Sequence, residues 1–178
     1  MCLFLTVFAV GVRAETETPE EWVRLGRRVH GGFGTYVVVG IRIGLDAMKR
    51  LEASPRDLDV TYQEGLLSPC PCVVDGIMIA TVSTPGQNSL RVLPTRRDRN
   101  TFGVAIIKNK KTGQALRYTL PNSVRSQLDS WNQSLTERQR YDAVMDAPAD
   151  SLYIVEPYDE PGSKSITIDS LGFVPSIK

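Results

Sequence analysis

The chain has 178 residues, 42% hydrophobic and 23% charged, and its 21 Lys and Arg against 20 Asp and Glu leave a formal net charge of +1. That composition excludes a disordered or collagen-like chain, and about 150 residues can bury roughly two-thirds of the surface their unfolded chain exposes, enough for one self-supporting core. The near-neutral balance gives no electrostatic footprint for nucleic acid, since the lysine cluster Lys108-Asn109-Lys110-Lys111 reads as a turn between strands.

Met1 to Val12 form an apolar run too short to span a bilayer, closed by Val12-Arg13-Ala14. This predicts a signal peptide over residues 1–14, a mature chain beginning at Glu15, and export to a periplasmic or secreted location, with no membrane span after cleavage. A buried N-terminal strand is the alternative. Cleavage also removes Cys2, leaving Cys70 and Cys72. An oxidising compartment favours a disulfide, but one intervening residue, Pro71, predicts strain in such a bridge, so free or metal-bound thiols are expected.

Pro19 to about Val29 reads as a helix, with Thr18 as its N-cap and Glu20 and Glu21 at its positive end. It breaks at His30-Gly31-Gly32-Phe33-Gly34-Thr35. From Tyr36 to Leu51 the Val37-Val38-Val39 run favours a strand, while Val37, Ile41, Leu45 and Met48 recur at helical spacing. Length decides for a helix, and places Gly40 and Gly44 on one face where another backbone can approach. A strand is expected over Leu58–Tyr62 and a helix from Val73 to Thr81. Strands follow near Ser89–Leu93, Thr101–Lys108 and Ala115–Leu120. Helices cover Asn122–Trp131 and Thr136–Met145, the second opened by a capping box in Ser134-Leu135-Thr136-Glu137. A last strand spans Leu152–Val155. The sum is a single α+β domain over residues 15–156, a mixed or antiparallel sheet packed against the N-terminal helices, with a loop-rich extension over 157–178.

His30 is the only histidine, in a hinge where Gly31, Gly32 and Gly34 let a ligand approach the imidazole; a purely structural role is the alternative. Cys72 stands where a helix begins, so unpaired N–H groups there favour its thiolate, unless it is a small buried hydrophobe. Asp75 caps that helix or hydrogen-bonds a metal ligand. Arg42 clamps a carboxylate or phosphate or forms a structural ion pair. Thr84-Pro85-Gly86 closes the helix in a turn whose hydroxyl and N–H groups can face a small ligand.

Read together, His30-Gly31-Gly32-Phe33-Gly34-Thr35 and the following residues to Leu45 resemble the H-G-H-x-C-P-G-x-x-x-G-x-R-x-G-L signature of the FmdE family, named for a component of formylmethanofuran dehydrogenase. Cys72 to Leu90 resemble that family's C-x-x-D-x-I-x-x-x-T-G-C-T-x-G-x-x-x-L segment. His30, Gly40, Arg42, Cys72, Asp75, Thr84 and Gly86 match; the second His, the motif Cys, its Pro and the later Cys are Gly32, Gly34, Thr35 and Ser83 here. No cysteine follows Cys72, so the ligands of the zinc ribbon that ends many members are missing from this sequence.

The resemblance implies a pocket between the His30 hinge and the Cys72 helix start. Metal ligands would be His30, Cys72 and Asp75, holding zinc or another divalent metal, with Cys70 or water completing the set. Small-ligand contacts would come from Gly31, Gly32, Gly34, Arg42, Thr84 and Gly86. Formylmethanofuran oxidation is not implied, because the named complex carries that chemistry on its other components. Three functions follow: a metal- or small-ligand-binding domain, a metal-free structural or partner-binding subunit, or a thiol-dependent enzyme using Cys72 with His30 as base. The oligomer stays open, a homodimer among the alternatives.

Overall fold

The computed structural model of the chain describes residues 17–159; the predicted signal and all but the first residues of the extension lie outside them. Helix α1 (Pro19–His30) starts as its sequence dictates. The Thr18 hydroxyl accepts from the Glu21 N–H, and the Glu21 carboxylate accepts from the Thr18 N–H at 2.7 Å, closing a capping box. Gly31, at φ 85°, ends the helix in the left-handed conformation that glycine adopts without penalty.

Helix α2 (Thr35–Arg50) is the centre of the molecule, with ten of its 16 residues buried. Its β-branched run is overridden because neighbours cover nearly every side of the helix, and a helix apolar all round is stable only when buried. Helix α3 (Cys72–Thr81) crosses it where glycine faces glycine. A Cβ on Gly40 would overlap the Val73 carbonyl, and one on Gly76 would overlap that of Val37. Gly44 likewise faces Ala80 and Thr81, so the small-residue face expected on α2 is the contact with α3.

Five strands, β1 (Leu58–Gly65), β2 (Leu90–Arg96), β3 (Thr101–Asn109), β4 (Ala115–Pro121) and β5 (Ile154–Pro157), form one sheet in the order β2-β1-β3-β4-β5. β1 and β2 are parallel, joined by the α3 crossover, and the remaining pairs are antiparallel. The architecture is therefore α+β with a mixed sheet in a single domain. Val60 opposes Ile107, Tyr62 opposes Ala105, and Ala105 opposes Tyr118, all fully buried on the inner face. The alternate residues Thr61, Ile106 and Lys108 line a cleft of about 600 Å³ on the other face.

Two expectations shift. β2 runs on through Pro94 to Arg96, which is tolerated because β2 is an edge strand with no ladder bond required on its outer side. The capping box before α5 (Glu137–Asp146) is formed by Thr136 and Gln139 instead of starting at Ser134. Ser134 is the last residue of α4 (Arg125–Ser134), and its hydroxyl donates to the Ser130 carbonyl. Among the described residues no helix is long and apolar enough to cross a membrane.

Candidate functional site

The end of α1 and the first turns of α3 bring together two residues 45 positions apart. His30 Nδ1 lies 2.7 Å from Asp75 Oδ2, with side-chain exposures of 25% and 33%. Both groups are screened yet reachable. Asp75 is the fourth residue of α3 and makes no capping bond; its carboxylate turns across to α1 instead. A carboxylate on Nδ1 holds the proton there in the neutral ring and leaves the Nε2 lone pair for a ligand or a proton.

The thiol expectation at Cys72 is overturned. Cys70 and Cys72 are joined by a disulfide. The bridge is accessible despite the tight spacing because the turn at Pro71, φ −75° and ψ 22°, sets the two Cα atoms 5.3 Å apart, within the separation disulfides usually span. Cys72 is 9% exposed at the first position of α3, while Cys70 is half-buried in the preceding loop.

The glycine hinge is open on one side and filled on the other. At Gly31 and Gly32 an added Cβ would meet nothing among the described residues within 4 Å, so they leave the place of the signature's second histidine open. At Gly34 it would press on Asn132 Oδ1 at 3.2 Å. That amide accepts the Thr35 N–H at 2.8 Å, and the Thr35 hydroxyl donates to the Leu128 carbonyl at 3.1 Å. The two departures from the signature are thus coupled: proline has no N–H to give Asn132, and a cysteine side chain at Gly34 would crowd it. Tyr36 adds a further tie to α4, donating to Asp129 at 2.7 Å. Burial, then the hydrogen bond to that carboxylate, pushes the Tyr36 phenol up to about 12.

The other expected residues lie apart from His30 and Asp75. The Arg42 guanidinium donates to the Val144 carbonyl in the last turn of α5, where helix carbonyls lack internal partners. The Thr84 hydroxyl accepts the Gln87 N–H at 3.2 Å and caps a short 3-10 turn beyond the far end of α3. A Cβ on Gly86 would touch the Thr84 hydroxyl at 3.9 Å, an ordinary contact. Cys72 is at the start of the ten-residue α3 and that turn lies beyond its end, so the length of the helix, about 15 Å at 1.5 Å per residue, stands between them. Ser83, at the place of the signature's later cysteine, is fully buried and donates to the Leu58 carbonyl. Asn132, Leu128 and Asp129, which hold the hinge and the start of α2, carry no motif that marks them in the sequence.

The model of the FmdE family, described as Molybdenum formylmethanofuran dehydrogenase operon, matches residues 29–154. The chain belongs to the FmdE family. The match spans both segments, so His30, Cys72 and Asp75 all fall within the FmdE domain. The crystal structure of a tungsten formylmethanofuran dehydrogenase FmdE-like protein from Syntrophus aciditrophicus resembles this chain with a TM-score of 0.51 and 20% identity, over 83% of this chain and 76% of that one. That likeness is one of fold. No curated protein matches the chain.

The residues present do not fit the metal that the family implies. A closed zinc site takes four protein ligands and an open one three plus water. Here both sulfurs are bonded to each other, His30 and Asp75 are hydrogen-bonded as a pair, and among the described residues no three His, Cys, Asp or Glu side chains gather to hold an ion.

Proposed function

We propose that the chain is an exported FmdE-family domain that binds a small polar ligand through the His30 imidazole, held by Asp75 at the open glycine hinge. It is a binding module and does not itself carry formylmethanofuran oxidation. The observation that carries this reading is the 2.7 Å contact between His30 Nδ1 and Asp75 Oδ2. An imidazole whose Nδ1 proton is fixed by a carboxylate has a defined tautomer and a directed Nε2 acceptor, the arrangement proteins use to present histidine to a ligand. The space that the described residues leave at Gly31 and Gly32 gives a small molecule room beside it. Export is supported by the apolar first residues and by a disulfide, which persists in oxidising compartments.

The binding reading is tested on full-length protein labelled with 15N at its one histidine, titrated separately with acetamide, inorganic phosphate and zinc chloride. The expected result is a saturable Nε2 shift with acetamide or phosphate, whose N–H or P–OH donates to that nitrogen, weakened roughly tenfold in Asp75→Asn, whose amide no longer holds the Nδ1 proton as a carboxylate does. No saturable shift with either donor overturns the reading. Stoichiometric zinc uptake by the disulfide-closed protein replaces it with a metal site. N-terminal sequencing from a cell-envelope fraction should show Glu15, and intact Met1 found in the cytosol alone contradicts export.

A further inference from the structure

The Cys70–Cys72 bridge has no evident task in holding the fold together. It encloses one residue, and a cross-link stabilises a fold in proportion to the logarithm of the loop it closes, so the smallest ring constrains the unfolded chain least. The domain around it already has a continuous apolar core running from Trp22 to Tyr153. The bridge also lies at the edge of that core instead of tying two distant elements.

Its surroundings suit chemistry better than stapling. The loop between β1 and α3 presents Leu66 and Leu67, 49% and 38% exposed, together with exposed Pro69 and Pro71. The Ser68 hydroxyl lies 2.9 Å from the Glu64 carboxylate and 3.0 Å from the Cys70 carbonyl, two acceptors that share its one proton, which holds the loop from which the first sulfur projects. The two sulfurs are unequal: Cys70 is half-buried, and Cys72 is nearly enclosed at the start of a ten-residue helix whose first N–H groups receive no side-chain cap. An attacking thiolate reaches the more accessible sulfur, and the departing one is stabilised by those N–H groups.

We propose that Cys70 and Cys72 are a redox-active pair that exchanges disulfide for dithiol with an apolar peptide or protein segment carrying two cysteines. In the forward direction a thiolate of the partner attacks Cys70 Sγ. The Cys70–Cys72 bond breaks, and Cys72 leaves with the electron pair as a thiolate. The partner's second thiolate then attacks the mixed disulfide, forming the partner's own disulfide and releasing Cys70. The partner dithiol is oxidised by two electrons, this chain is reduced by the same two, and the two thiol protons pass from the partner to Cys70 and Cys72. The reverse sequence recharges the site from a partner disulfide. This site stands apart from the His30 reading, and either can fail without the other.

The test uses the oxidised full-length protein with Cys2→Ser, a change carried by every variant below so that Cys70 and Cys72 are its only cysteines, folded and without denaturant, mixed with a reduced synthetic peptide bearing two cysteines flanked by leucines. Alkylation followed by mass measurement counts the thiols on each. The expected result is one peptide disulfide formed for each protein bridge opened, reversed by excess oxidised peptide. Offered the oxidised peptide, Cys72→Ser should capture it through Cys70 roughly tenfold faster than Cys70→Ser captures it through Cys72, following access to the attacking sulfur. A bridge that opens only once the protein is unfolded overturns the proposal, as does equal capture by the two variants.

Discussion

Replacing Gly40 by alanine tests how α3, and with it Cys72 and Asp75, is held in place. The added Cβ would sit 2.9 Å from both the Gly76 Cα and the Ile77 nitrogen, and closer still to the Val73 carbonyl. All three are backbone atoms, so no side-chain rotation relieves the contact and α3 must move outward by about 1 Å or more. Overpacking of this kind costs about 1–3 kcal/mol, with the upper end expected where only backbone can yield. Alanine's better helix propensity returns about 1 kcal/mol. A net loss of about 2 kcal/mol follows, which lowers the melting temperature of a domain this size by roughly 4–8 °C. Urea unfolding followed by circular dichroism should show a lower midpoint with an unchanged slope. Gly32→Ala, whose Cβ meets nothing within 4 Å, is the control and should stay within about 0.5 kcal/mol of the parent. A Gly40→Ala protein as stable as that control would show that the two helices do not meet through their backbones.

Val82 ends α3 at φ 54° and ψ 28° and is 40% exposed. Val82→Gly should raise stability by about 0.5–1 kcal/mol, since left-handed backbone costs an L-residue about 1–2 kcal/mol and glycine's added freedom in the unfolded chain takes back part of that; a lower urea midpoint contradicts this. The Tyr62 hydroxyl is fully buried without a hydrogen-bond partner among the described residues, so Tyr62→Phe should stabilise the fold by about 1 kcal/mol in the same assay, and a loss would reveal a partner. Burial first, and for Tyr36 then the Asp129 hydrogen bond, raises the phenols of Tyr36, Tyr62 and Tyr118 in the folded state, Tyr36 to about 12. The unfolded chain therefore releases these protons first, near pH 10. Their contribution is fully present below about pH 10 and is lost as pH rises toward 12. Urea midpoints that stay flat across that window contradict the assignment.

What the sequence made legible was local or periodic. Thr18 three residues before Glu21, Gly31 after the last turn of α1, and Gly40 with Gly44 on one face of α2 each state a short-range rule that the fold obeys. Val82 stands where the family signature has glycine, and only the backbone conformation gives that departure a meaning. The pairing of His30 with Asp75 depends on how α1 packs on α3, which no spacing along the chain encodes. The disulfide is not legible from the number of intervening residues, which suggests strain, whereas the Pro71 turn sets the Cα separation. Asn132 is invisible for a further reason: its amide matters only because Thr35 supplies an N–H across 97 residues of sequence.

The presence of one histidine makes the tautomer of His30 the most direct measurement of the site. Long-range 1H–15N correlation on 15N-labelled protein, at a pH where the ring is neutral, reports which nitrogen carries the proton. Asp75 beside Nδ1 predicts a protonated Nδ1, an unprotonated Nε2, and reversion toward the Nε2–H form that predominates in free histidine when Asp75 is replaced by alanine. An Nε2–H tautomer in the parent protein, unchanged in the variant, would mean that Asp75 does not hold the ring and that His30 does not present Nε2 to a ligand.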